Sequence, residues 1–187
     1  MNIIKINNMY EEMNRPKMMT AEECFLYESN LIESENSKQA FVDAKEAWTF
    51  IKGKKKIHFP DIKKIHKLLS KNIRTDIAGN FRDCDVSIGD KVVKFHSEKM
   101  FIHRLTHLIV YMREVNKNRN KHETKEMFAR RCHVIFEGIH PFEDGNARVG
   151  RIIYNWHRNQ LNLPLHIIKA DYPDVKGEQM KYYKWFK

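Results

Sequence analysis

"IHPFEDGNARVGR", Ile139 to Arg151, gathers a histidine, two carboxylates, an asparagine, two arginines and two glycines directly after an apolar run. Phe128, Cys132 and Ile135 recur at helical spacing before it. Val149, Ile152, Ile153 and Trp156 do so after it. The stretch is therefore read as a loop joining two amphipathic helices.

Spacings of three and four recur along the rest of the chain, which predicts a mainly all-α fold. Thr20 followed by Glu23 is a reciprocal capping pattern and opens a predicted helix from Ala21 to Glu33. Phe41, Ala44, Trp48 and Ile51 mark a second helix. Ile62, Ile65, Leu69 and Ile73 mark a third, opening after Pro60 and Asp61, and Phe101, Leu105, Leu108 and Met112 mark a fourth. One segment departs from this pattern. "CDVSIGDKVVKF", Cys84 to Phe95, has β-branched residues on both sides of a turn at Gly89 and Asp90 and reads as a hairpin. Its open edge suits an extended peptide added as a further strand.

A chain of 187 residues with 42% hydrophobic content supports one domain with a core. Its longest apolar run, Leu108 to Met112, is far short of a membrane span, and the opening residues hold no signal-peptide core, so a cytoplasmic protein without membrane association is expected. Cys24, Cys84 and Cys132 lie far apart and form no CxxC pair, and are read as reduced thiols. The net charge of +10 invites a phosphate-bearing partner. The lysines are dispersed apart from Lys52 and Lys54 to Lys56, so nucleic-acid binding is not the expected role.

The junction itself carries the chemistry. Where the loop turns into a helix, the amides of Gly145, Asn146 and Ala147 are unpaired donors at the positive end of the helix dipole, a place for an anion. Arg148 and Arg151 share a helical face and are candidates to hold successive phosphates. Asp144 is a candidate ligand for the Mg²⁺ that a polyphosphate brings. His140 is a candidate general base at neutral pH, and Phe142 is read as a plug into the core. Singly, these residues have plainer uses: a loop histidine, a surface arginine pair, an Asp-Gly turn. Their order together is what points to phosphate chemistry.

In that order, "HPFEDGNARVGR" resembles the Fic motif, HxFx(D/E)GN(G)RxxR. The resemblance extends over about residues 20 to 187 and implies a small helical bundle with a β-hairpin flap. It implies transfer of AMP from ATP to a hydroxyl side chain of a target protein, or of the chain itself. His140 would then be the base and Asp144 the Mg²⁺ ligand. Gly145, Asn146 and Ala147, with Arg148 and Arg151, would hold the phosphates, and the flap near residues 84–95 would dock the target. Many members also carry an inhibitory helix with the pattern (S/T)xxxE(G/N). "SNLIES" supplies Ser29 and Glu33 in that register, with Ser34 in place of Gly or Asn. Residues 1–35 are thus expected as an arm with an inhibitory helix, and 36–187 as the catalytic core.

Ala147 stands where the motif has Gly. A methyl group there crowds the phosphates or, in ordinary helical geometry, simply favours the helix. The Doc branch, resembling HxFx(D/N)(G/A)NKR, has Lys at this position and phosphorylates its target. Ala147 is not Lys, so AMP transfer stands first, with phosphorylation or transfer of another nucleotide as the alternative.

Overall fold

The computed structural model describes residues 19–88, 91–171 and 177–186. In chain order it contains α1 (Ala21–Ile32), α2 (Lys38–Lys52), α3 (Phe59–Ser70), the strands β1 (Val86–Ile88) and β2 (Lys91–Val93), α4 (Glu98–Arg113), α5 (Val115–Asn118), α6 (Lys125–Ile139), α7 (Asn146–Gln160) and α8 (Gln179–Tyr183) with a closing 3₁₀ turn (Lys184–Phe186). The mainly helical fold with a small hairpin is as expected.

α7 runs through the centre and packs on α6, α3, α2 and α1. Val149, Ile152, Ile153 and Trp156 face the core as the periodicity requires, as do Phe101, Leu105, Leu108 and Met112 of α4. α1 joins the same core. Phe25 meets Trp48 of α2 edge to face with ring centroids 4.9 Å apart, a geometry favoured by the ring quadrupoles. The predicted Thr20–Glu23 box opens this helix, with the Thr20 amide donating to Glu23 and the Glu23 amide to Thr20 Oγ1.

Several boundaries differ from expectation. α1 ends at Ile32, leaving Glu33 as its C-cap. Ser34 then adopts the left-handed region (φ 58°). The amides of Ser34 and Glu35 donate back to Leu31 and Asn30, at 2.9 and 3.0 Å, which is the Schellman arrangement that favours Gly or Asn at this position. α3 begins at Phe59, before Pro60, because a proline in the first turn lacks only an amide that has no helical partner anyway. It stops at Ser70 and leaves Ile73 outside. Ile135 turns outward at 39% exposure, whereas Phe136 and Ile139 of the same helix are buried. Phe41 is half-buried on the rim of the core.

β1 and β2 pair antiparallel, Val86 with Val93, Ser87 with Val92 and Ile88 with Lys91. The predicted turn at Gly89 and Asp90 lies outside the described residues. The three cysteines are free thiols. Among the described residues no helix is long and apolar enough to cross a membrane.

Candidate active site

The loop between α6 and α7 is held by its own polar groups. Asn146 Nδ2 donates to the Phe142 carbonyl at 2.7 Å, and the Phe142 amide donates to Asn146 Oδ1 at 2.9 Å. The asparagine side chain thus ties the loop to the start of α7. Phe142 is fully buried, stacked on His66 with ring centroids 3.9 Å apart. His66 accepts from the Gly79 amide at Nδ1 (3.0 Å), so its Nε2–H donates to the Asp144 carbonyl (3.1 Å). Burial lowers its pKa to about 4, which keeps this ring neutral.

His140 caps α6 in the left-handed conformation, φ 47° and ψ 62°. A non-glycine residue there costs about 1–2 kcal/mol, and such strain is characteristic of functional positions. Its Nδ1 lies 3.2 Å from the Glu137 carbonyl. A carbonyl can only accept, so Nδ1 carries the proton and Nε2 is left as the basic nitrogen. Burial lowers the pKa of the ring, the Glu137 contact opposes that effect, and the Arg82 cation adds to it.

Gly145 N-caps α7 at φ 75°, a conformation that glycine adopts without a steric penalty. Asp144 is exposed beside it, with Oδ1 accepting from the Gly145 amide at 2.6 Å, so this amide is not the unpaired donor that the sequence leads one to expect. The first amides of α7 have no partner within the helix. Arg148 and Arg151 are both buried, and Arg148 Nε and Arg151 Nη1 lack a hydrogen-bond partner. Orphaned guanidinium donors behind a helix N-terminus fit a polyphosphate, which would satisfy them. Asp144 fits a Mg²⁺ that keeps waters and phosphate oxygens as its other ligands. Among the described residues no group of three or more His, Cys, Asp or Glu could hold a metal by itself.

Ala147 sits in the first turn of α7, outside the left-handed region. Its methyl therefore imposes no backbone strain. Ala147→Gly is expected to lower stability by about 0.5–1 kcal/mol through helix propensity, measured as a fall in melting temperature. A clear gain in ATP affinity would instead show that the methyl crowds the phosphates.

Ser29 and Glu33, distant in sequence, meet Arg151. Arg151 Nε donates to Ser29 Oγ and Nη2 to the Ser29 carbonyl, each at 2.8 Å. Nη2 also pairs with Glu33 Oε1 at 2.8 Å. Burial opposes the arginine's charge, but Tyr182 and Glu33 hold its pKa above the usual value.

Sequence reasoning missed Arg82 and His66. Arg82 is buried, donates from Nε to the His140 carbonyl at 2.8 Å and from Nη2 to the Lys94 carbonyl at 3.1 Å, and also reaches the Cys84 carbonyl. Its amide donates to the Pro141 carbonyl at 3.0 Å. One side chain thus fastens the hairpin to the loop that carries His140. Its place immediately before the hairpin was the one available signal.

No match is found among curated protein sequences. Solved structures with the same fold include a Fic domain containing signaling protein from Bacteroides thetaiotaomicron (18% identity, TM-score 0.67, covering 98% of this chain and 80% of the other). Fic-1 from C. elegans (18%, 0.65, 97% and 61%) and a Fic family protein from Desulfovibrio desulfuricans G20 (19%, 0.63, 99% and 61%) share it too. The chain spans about three fifths of the length of these last two. The family model of the Fic/DOC family matches residues 56–157, more than half of the sequence and the whole loop from His140 to Arg151. The chain belongs to the Fic/DOC family.

Proposed function

We propose that this protein transfers AMP from ATP to a hydroxyl side chain of a protein target. The observation that carries this reading is the orientation of His140, whose Nδ1 proton is committed to the Glu137 carbonyl, beside a helix N-terminus backed by unpartnered donors of Arg148 and Arg151. His140 Nε2 takes the proton of the target hydroxyl as its oxygen attacks the α-phosphorus, and pyrophosphate leaves. Amides at the start of α7 and the two arginines neutralise the phosphates. Asp144 would hold Mg²⁺, which supplies charge compensation for the leaving group. The open edge of the hairpin near residues 84–95 would seat the target as an added strand, bringing its hydroxyl toward His140. Glu33, paired with the guanidinium needed by the polyphosphate tail, would be the inhibitor, and residues 1–35 the inhibitory arm.

The test is incubation with ATP and Mg²⁺, using the chain with and without Glu33→Gly, in the presence of cell lysate. Intact and peptide mass spectra are expected to show addition of one AMP to the chain or to a target. Addition of phosphate would favour the kinase alternative suggested by the departure at Ala147. No adduct with either form of the protein would overturn transferase activity.

A further inference from the structure

α1 is held on a second side, away from the site loop. Its end packs into a small second core in which Ile32 joins Ile168, Ala170 and Tyr182, with Trp185 and Phe186 against them. All of these except Ile32 come from the chain after α7. A buried polar contact reinforces the packing, since Glu28 of α1 accepts from the Ala170 amide at 2.9 Å. Residues 168–171 are tied in turn to α8. The Glu178 amide donates to the Lys169 carbonyl at 3.0 Å, and the Asp171 amide donates to Gln179 Oε1 at 2.9 Å.

Tyr182, in α8, is where this second side meets the site. It is buried, and the Arg151 guanidinium lies over its ring, 5.7 Å from the centroid, a separation at which the ring quadrupole attracts a cation. The ring is held in place from its other sides. Its hydroxyl is 3.0 Å from His133 Nε2, and Trp185 and Phe186 meet it edge to face with centroids 5.2 and 5.1 Å away. The N–H donors of Arg151 go instead to Ser29 and Glu33. A cation attracted to a ring keeps its donors for hydrogen bonds elsewhere. One guanidinium can therefore rest on Tyr182 while it binds either Glu33 or a phosphate.

We infer that Tyr182 is a positioning residue for Arg151, and that residues 177–186 form the second half of the dock for α1, so that α1 and this closing segment open and close as one unit. The two are joined through Arg151 and Ile32, and lifting either strips cover from the other. Release of α1 uncovers the apolar face of Tyr182. Release of α8 removes both the ring beside Arg151 and the seat of Ile32. Contiguous units of this kind open locally at a lower cost than the whole fold, and coupling between two such segments is reciprocal.

The consequence for activity rests on the proposed inhibitory role of Glu33, but the coupling is measured without nucleotide, by hydrogen exchange on the full chain. Tyr182→Leu is expected to accelerate exchange of residues 21–33 by roughly 5- to 30-fold, through loss of the ring and its packing, while the amides of α4 keep their rates. Ile32→Ala should act in the reverse direction and accelerate residues 177–186 several-fold. Tyr182→Phe keeps the ring and gives up only the hydroxyl, so it should stay nearer to the parent than Tyr182→Leu. Acceleration confined to the segment that carries the substitution overturns the coupling. Equal acceleration of α4 also overturns it, since the loss would then be general. Tyr182→Phe exchanging as fast as Tyr182→Leu overturns the role of the ring. Ile32→Ala decides the coupling even if Tyr182→Leu fails to fold. With ATP and Mg²⁺, Ile32→Ala should raise transfer as Glu33→Gly does. Failure to find any nucleotide adduct would sink the proposed function and leave the shared dock standing.

Discussion

His140→Ala is expected to cut transfer by roughly 10²–10⁴-fold, the usual contribution of a general base, while melting temperature and ATP affinity stay near those of the parent. The structural contacts at this position are made by its backbone. The amide donates to Phe136 and the carbonyl accepts from Arg82, and both survive the substitution. The ring itself is only partly buried and plugs no core cavity, a task that falls to Phe142. Because burial lowers the His140 pKa, the acid limb of the rate profile should lie below the ordinary histidine range. Single-turnover rates, calorimetric ATP binding and thermal melts check this together. Equal losses of stability and rate would assign the histidine a structural role.

Glu33→Gly should raise the rate of self-modification or ATP affinity by roughly 5- to 30-fold, the equivalent of about 1–2 kcal/mol. The lower end reflects screening of Glu33, whose side chain is 34% exposed although Arg151 is almost wholly buried. Glu33 is a C-cap with negative φ, so glycine relieves no backbone strain there, and a gain in rate must come from the freed guanidinium. The two bonds from Arg151 to Ser29 remain, which keeps α1 available to dock. Arg151→Ala should cancel the gain. No increase with Glu33→Gly at saturating ATP and Mg²⁺ would mean that α1 contributes packing alone.

What could be read from the sequence follows a physical division. The apolar stripes of α4 and α7 and the Thr20–Glu23 cap are local and periodic, and all recur in the structure. The Ser29–Glu33 register was legible because four residues make one helical turn. Periodicity, however, reports apolar faces and is blind to buried polar groups. α7 also buries Arg148, Arg151, Asn155, His157 and Arg158, and no apolar stripe could have revealed that it is central. Arg82 and His66 act through contacts 58 and 78 residues away in sequence, so His66 carries no local signature and Arg82 only its place before the hairpin. The sequence places Asn146 in the phosphate turn, whereas its side chain is spent on Phe142; loop sequence shows which polar groups are present but not which partner takes each one. Ile135 satisfies helical spacing and still points outward, because the edge of a stripe is fixed only when a neighbouring helix covers it.

If a target docks on the hairpin as proposed, Arg82 would make that edge a measuring one. Since the same guanidinium holds the carbonyls of Lys94, Cys84 and His140, the backbone at both ends of the hairpin is tied to the backbone of the histidine. A peptide laid against that edge advances about 3.3 Å per residue and presents alternate side chains to opposite faces. Sliding it by one residue would turn a hydroxyl away from His140; sliding it by two would bring a different one up. Selection among neighbouring serines, threonines and tyrosines on a flexible segment could then be set by the alignment of backbones, with Arg82 as the fixed zero of the scale.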